Sequence, residues 1–257
     1  MDLSIIVPVY NSSKILDELI ERILNTIKKI KLVNYEILLI NDYSMDESWN
    51  KIKFLSKKYT AVRGINLSQN FGQHNAIMAG LNNCKGALVI TIDDDLQHPP
   101  ESLPIILKKL NECDVCYTYY KNRKHKGWKK IVSKINNIVS SFLLDKPLNI
   151  YMSSFRGIKK KIVKDIVNFK NPDVYIDGLI IKSTKNIKMV TVDHHARKEG
   201  QSNYTFKKLV ILWSNMLIDF QFFPIRLSSP FGLTLKFIIK LLRKRNEKPQ
   251  YNISEFV

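Results

Sequence analysis

Asp93-Asp94-Asp95-Leu96-Gln97 is the sharpest chemical signal in the chain. Adjacent aspartates repel one another unless a cation shares them. Along extended backbone, positions i and i+2 project to one side, so Asp93 and Asp95 face together and Asp94 faces away. Two carboxylates and the amide oxygen of Gln97 form a hard, oxygen-only donor set. Mg²⁺ or Mn²⁺ suits such a set, completing its shell with substrate phosphates. The competing reading is an acidic helix N-cap ahead of Pro99-Pro100-Glu101, where negative charge is favoured. One cap does not need three aspartates.

The elements that must position this cluster are legible around it. Leu3–Val9, Tyr35–Ile40, Ala61–Leu67 and Ala87–Ile92 are short runs rich in Ile, Leu and Val. Such runs suit strands buried on both faces of a parallel sheet. Helix-period segments separate them. Ser12 or Ser13 is expected to cap the first, which turns Ile15, Leu16, Leu19, Ile23 and Ile27 inward. Ser44 is expected to cap the second, with Trp49, Ile52 and Leu55 as its buried stripe, and Gly72 to Leu81 supplies the third. The order βαβαβαβ predicts a doubly wound α/β sheet, whose ligands bind beyond the carboxyl ends of the strands. Those ends carry Val9-Tyr10-Asn11, Asn41-Asp42, Ser68-Gln69-Asn70 and Asp93-Asp94-Asp95.

Several function classes lose support. No GxGxxG follows the first strand and no GxxxxGK[ST] occurs anywhere, against dinucleotide-fingerprint and P-loop readings. Three cysteines build no disulfide framework; Cys113 and Cys116 read as buried strand thiols. Met1-Asp2 runs directly into an apolar strand, which is not the pattern of a signal peptide. Charge is uneven: residues 1–120 hold 13 basic and 14 acidic side chains, residues 121–257 hold 28 and 9. The second half therefore faces something anionic.

Ile6-Val-Pro-Val-Tyr-Asn11, Leu39-Ile-Asn-Asp-Tyr-Ser-Met-Asp46, Asn70-Phe-Gly-Gln-His-Asn-Ala76 and Ile92-Asp-Asp-Asp-Leu-Gln-His-Pro-Pro-Glu101 occur in that order. Together they resemble family 2 glycosyltransferases of the GT-A fold, in the branch similar to dolichol-phosphate mannose synthase and bacterial polyprenyl-phosphate sugar transferases. The resemblance spans roughly residues 3–210. It implies a nucleotide-sugar donor, a Mg²⁺ or Mn²⁺ cofactor and transfer with inversion. Carried over by position, it lays Pro8, Tyr10 and Asn11 along the nucleotide and Asp42 on the base. Asp93 falls on the ribose or metal side, and Asp95 and Gln97 hold the metal against the diphosphate. Asp94 and Gln73 group with the donor side, and His74 reads as a helix-start residue. The bland reading of Asp42 is a cap on the following helix, and that of Tyr10 and Asn11 a strand-to-helix turn.

The acceptor half departs from that branch. The branch usually has an Asp shortly before Phe-Arg, where this chain reads Tyr151-Met-Ser-Ser-Phe-Arg156, and often an Arg where this chain has Asp177. A lipid phosphate attacks as an anion, whereas a sugar hydroxyl must lose its proton, usually to a carboxylate. Asp177 is the candidate base; its alternatives are a pair with Arg156 or Arg197, or a cap to Gly178–Ile181. His194-His195-Ala-Arg197-Lys198-Glu-Gly200-Gln-Ser202-Asn-Tyr204 resembles the family's His-x-x-Arg-x-x-Gly-x-Ser-x-Tyr loop. In it Arg197 and Lys198 are placed to clamp phosphate, together with Arg156. The acceptor is read as a polyprenyl phosphate in surface-glycan synthesis, with a hydroxyl of a lipid-linked saccharide as the alternative.

Lys121–Lys130, with Trp128 embedded, leads into an amphipathic run over Ile131–Phe142. Phe206–Leu242, with Trp213, Phe220, Phe222 and Phe223, ends on Arg243-Lys244-Arg245. A spanning helix needs about 18–20 mostly apolar residues, and Asp219, Pro224, Arg226, Pro230, Lys236 and Lys240 interrupt this one. Basic-aromatic segments of this kind fit an anionic membrane surface, so the chain is expected to be cytoplasmic and peripheral on the inner face of the membrane. No nucleic-acid motif accompanies the charge, which disfavours a non-enzymatic nucleic-acid-binding protein. The expected fold is therefore α/β, a GT-A-type, mainly parallel sheet over residues 1–205. Residues 206–257 would follow as an amphipathic helical appendage. Residues 1–120 form the nucleotide-sugar half and residues 121–205 the acceptor half.

Overall fold

The computed structural model describes residues 1–120, 141, 147, 149–193 and 249–257. The chain divides into two compact units, one of residues 1–125, 150–201 and 250–257 and one of residues 126–149 and 202–249. Only the first is described below. Its elements are β1 (Leu3–Val9), α1 (Leu16–Lys29), β2 (Tyr35–Asn41), α2 (Ser48–Lys58), β3 (Val62–Leu67), α3 (Gln73–Asn83), β4 (Leu88–Thr91), a 3-10 turn (Pro100–Ser102) and α4 (Leu103–Leu110). After them come β5 (Val115–Tyr120), β6 (Arg156–Lys159), α5 (Lys160–Ile166), α6 (Ile176–Ser183), β7 (Ile187–Val192) and β8 (Ile253–Phe256).

These strands form one sheet in the order β7-β5-β6-β4-β1-β2-β3-β8. β1 pairs in parallel with β2 and β4, β2 with β3, and β5 with β7. β6 runs antiparallel to both β4 and β5. All seven residues of β1 are buried, as continuous apolar runs in a two-sided sheet require. Leu16, Leu19, Ile20, Ile23 and Ile27 of α1 pack into the core with Ile37, Leu39 and Ile52. Gly80 brings α3 against β1: a Cβ there would lie 2.5 Å from Ile6 Cγ2. Cys113 and Cys116 are fully buried free thiols, as expected. Among the described residues, no helix is long and apolar enough to cross a membrane.

The helix starts correct the sequence reading. α1 begins at Leu16 and α2 at Ser48, neither with a side-chain cap. The serines expected as caps tie loops together instead: Ser44 Oγ accepts from Asn11 N at 3.0 Å, and Ser12 Oγ donates to Asp94. Polar groups at these strand ends thus hold one loop to the next. The C-terminus is a second correction. Residues 253–256, expected in the helical appendage, form β8 on the free edge of β3, with Val257 and Gly64 exchanging both backbone hydrogen bonds. Trp49 Nε1 fixes this strand by donating to Glu255 at 2.9 Å. The remainder of the expected appendage, residues 206–248, lies outside the described residues.

Candidate active site

Because β1, β2 and β4 are parallel, with Val9 opposite Asn41 and Ile6 opposite Thr91, their carboxyl ends open on one edge. β6 is antiparallel to β4, with Arg156 opposite Thr91, so the segment entering β6 arrives where β4 releases its aspartates. Four non-glycine residues have positive φ among the described residues, and three sit at this edge: Asn11 (53°), Tyr43 (58°) and Leu96 (59°). Backbone strain of this kind concentrates at functional sites.

The three aspartates take different partners; β4 ends at Thr91 and Asp94 and Asp95 lie in a turn, so the alternation expected of extended chain does not apply to them. Asp93 Oδ1 accepts from Gln73 Nε2 at 2.6 Å, and its Oδ2 accepts from Ser154 Oγ at 2.5 Å. Asp94 turns to β1, where its Oδ2 accepts from Tyr10 N at 3.0 Å and Ser12 Oγ at 2.5 Å. Asp95 is buried and its Oδ1 accepts from Gln97 N at 3.0 Å. Burial pushes the Asp94 carboxyl up to about 7, and the charges of Asp93 and Asp95 push the same way. His98 stacks with the rings of Tyr120 and Phe155, with Nδ1 3.6 Å from Asp93 Oδ2.

Asp42, read as a base contact, is 4% exposed. Its two oxygens accept from Phe71 N at 2.7 Å and Gly72 N at 2.9 Å, directly ahead of α3. Burial raises its pKa and those two amides oppose the rise. Asp42 thus fixes the turn that enters α3, which begins at Gln73 without a side-chain cap, and the expected cap on the helix that follows Asp42 in sequence is not formed. Pro8, expected along the nucleotide, is buried within β1 opposite Ile40. It falls just past the last β4 pair, where a missing N–H costs the ladder little. Tyr10 and Asn11 are exposed, and Asn11 Oδ1 accepts from Met45 N at 2.8 Å. Gln73 is brought to the site by Asp93.

On the acceptor side, Asp177 is 8% exposed and Arg156 1%. Arg156 Nη1 donates to Asp177 Oδ1, and Tyr117 Oη donates to the same oxygen at 2.7 Å. Of the readings left open for Asp177, the geometry shows the pair with Arg156. Arg156, expected at a phosphate, is enclosed beneath Tyr117, with its Nε donating to Thr91 Oγ1 at 3.2 Å. His74 packs edge-on to Tyr175 and has a buried Nδ1. Burial, aided by Arg156 and opposed by Asp177, lowers its pKa to about 4.

Arg197, Lys198, His195, Trp128 and Trp213 lie outside the described residues. Thr91, Tyr117 and Ser154 join the site without having been singled out. Ser154 stands in the Tyr151–Arg156 stretch marked by its missing carboxylate, and its hydroxyl is the signal that stretch carried.

Residues 4–167 match the family model described as Glycosyl transferase family 2. Among curated proteins, the chain is 31% identical over 251 residues to the undecaprenyl-phosphate 4-deoxy-4-formamido-L-arabinose transferase of Enterobacter sp. (strain 638), covering 93% of this chain and 76% of that one. The protein of that name from Proteus mirabilis (strain HI4320) is 32% identical over 231 residues, covering 89% and 71%. Among solved structures, glucosyl-3-phosphoglycerate synthase from Mycobacterium tuberculosis, in complex with Mn²⁺, uridine diphosphate and phosphoglyceric acid, aligns with a TM-score of 0.66. The two are 15% identical, and the match covers 87% of this chain and 79% of that one. At that identity the likeness shows the fold, and the fold is the expected one.

Proposed function

The chain belongs to glycosyl transferase family 2, and from that premise we propose that it is an inverting, metal-dependent enzyme moving a sugar from a nucleotide-sugar donor to a polyprenyl phosphate. The observation that carries the acceptor is the state of Asp177. A hydroxyl acceptor needs a general base, and the carboxylate best placed by sequence is occupied by Arg156 and Tyr117. A lipid phosphate needs none. The relatives named as undecaprenyl-phosphate transferases support the same choice, and surface-glycan synthesis is the setting we infer.

The donor-side residues fit a divalent cation. They offer oxygen atoms alone, which suits Mg²⁺ or Mn²⁺, and the mutual repulsion that helps raise Asp94 is relieved by a cation. Among the described residues no three His, Cys, Asp or Glu side chains group as a metal cage; a site that shares its ion with substrate phosphates uses one or two carboxylates. Asp93, Asp95 and Gln97 would hold the ion. Bound there, it would supply positive charge for the departing nucleoside diphosphate. Tyr10 and Asn11 lie exposed for the nucleotide, and Asp42 fixes the turn into α3 beside it. Arg197 and Lys198 are assigned to phosphate binding, and residues 121–142 and 206–248 to reversible contact with the inner face of an anionic membrane.

Screening nucleotide sugars for slow hydrolysis tests donor and metal together. One nucleotide sugar should be hydrolysed with Mn²⁺ or Mg²⁺ present, and EDTA should stop the reaction. Hydrolysis that continues in EDTA contradicts the metal assignment.

A further inference from the structure

A line of hydrogen bonds joins the buried acceptor-side ion pair to the donor-side carboxylate. Arg156, held by Asp177, donates from Nε to Thr91 Oγ1 at 3.2 Å. Thr91 Oγ1 donates at 2.5 Å to the backbone carbonyl of Ser154. Ser154 Oγ then donates at 2.5 Å to Asp93 Oδ2. From the other side Gln73 Nε2, at the start of α3, donates to Asp93 Oδ1 at 2.6 Å. Each oxygen of Asp93 is therefore gripped by a neutral donor from a different element, and the grip on Oδ2 is anchored in the core.

We propose that Ser154 is a positioning residue for Asp93, holding its carboxylate in the orientation that meets the metal–nucleotide complex. Three features support this beyond the contact itself. Thr91 and Arg156 are 0% and 1% exposed, so the carbonyl that places Ser154 is tied to parts of the molecule that cannot drift. The hydrogen-bond donors to Asp93 are an amide and a hydroxyl, which orient the carboxylate without cancelling its charge, and His98 Nδ1 stands farther off at 3.6 Å from Oδ2. The arrangement also follows from topology. Only because β6 runs antiparallel to β4 does residue 154 reach the residue two past the end of β4. Partners of metal-binding carboxylates act this way in general, and removing one typically weakens metal binding by about 10–100-fold.

The inference rests on the reading of Asp93 as a metal ligand, and its test separates the two. Mn²⁺ is titrated into the full chain in the presence of uridine diphosphate, with free Mn²⁺ read by electron paramagnetic resonance and the thermal midpoint recorded for each variant. Ser154→Ala should weaken Mn²⁺ binding by about tenfold or more while its thermal midpoint stays near that of the unsubstituted chain. Ser154→Thr, which keeps the hydroxyl, should restore most of the affinity, and Thr91→Val should give an intermediate loss. Unchanged Mn²⁺ affinity in Ser154→Ala, with the unsubstituted chain binding Mn²⁺, overturns the positioning role alone. Equal losses in Ser154→Ala and Ser154→Thr, each matched by a fall in thermal midpoint, would also overturn it. An unsubstituted chain that binds no Mn²⁺ overturns the metal reading and this role with it.

Discussion

Asp93 and Asp177 stand at two ends of one hydrogen-bonded line and are treated oppositely. Asp93 keeps 22% of its side chain exposed and accepts from an amide and a hydroxyl, both neutral. Asp177 is buried and shares its charge with a guanidinium. Neutral donors orient a carboxylate and leave its charge for a cation arriving from solution. A buried arginine cancels it. Two aspartates of one fold thus differ in how much of their charge their partners leave uncancelled.

Neutralising each carboxylate in turn separates the two environments. On the donor side, Asp95→Asn should cut turnover by about 10³-fold or more, since a metal at a leaving group supplies several kcal/mol, and Mn²⁺-dependent nucleotide binding should fall with it. Folding should be preserved, as loss of one like charge relieves repulsion within the cluster. Kinetics and a thermal scan on the same sample check both halves of this statement.

On the acceptor side the expectation is reversed. Asp177→Asn strands Arg156 in the core, and breaking a buried pair costs about 3–5 kcal/mol. Denaturant unfolding should register that loss, while donor binding by the folded fraction stays near normal. Substituting Arg156 to Gln as well should recover part of the stability. A folded Asp177→Asn protein that loses turnover by about 10²–10⁴-fold, the range for a missing general base, would instead place Asp177 in the chemistry.

A smaller effect sharpens the contrast through pH. His74 has a folded pKa near 4 against an ordinary 6.5, so the unfolded chain binds more protons between those values. Stability should therefore be lost as pH falls from about 6.5 through 4, with a slope of up to about 1.4 kcal/mol per pH unit from this group. His74→Asn should flatten that limb in unfolding measurements across the window. Smallest is the bond from Ser12 to Asp94, 2.5 Å long and half-buried. Ser12→Ala should lower stability by about 1 kcal/mol, measured by denaturant midpoint, and leave the acceptor side untouched.

The donor side was legible because its residues are local. Each strand is a short apolar run, so its end, and the polar residue standing there, can be read directly; β1 occupies Leu3–Val9 as expected, and Asp93 and Asp94 follow the end of β4 with different partners. What escaped was whatever depends on pairing between distant segments. Ser154 reaches Asp93 across 61 positions and Tyr117 reaches Asp177 across 60, and no periodicity encodes such separations. β8 escaped for the same reason: a four-residue strand following a basic segment has no pattern until β3 offers its edge. A serine at a strand end can cap a helix or tie a loop, and here Ser12 and Ser44 bond to Asp94 and Asn11 of neighbouring loops.

This chain is proposed to transfer sugar to a phosphate that needs no base. The direct test supplies the active nucleotide sugar and Mn²⁺ together with one lipid in two forms, polyprenyl phosphate and the corresponding free polyprenol, and measures labelled sugar recovered in the lipid fraction. Metal-dependent product is expected with the phosphate and none with the alcohol. Sugar transferred to the alcohol, or to the phosphate undiminished by EDTA, would contradict it.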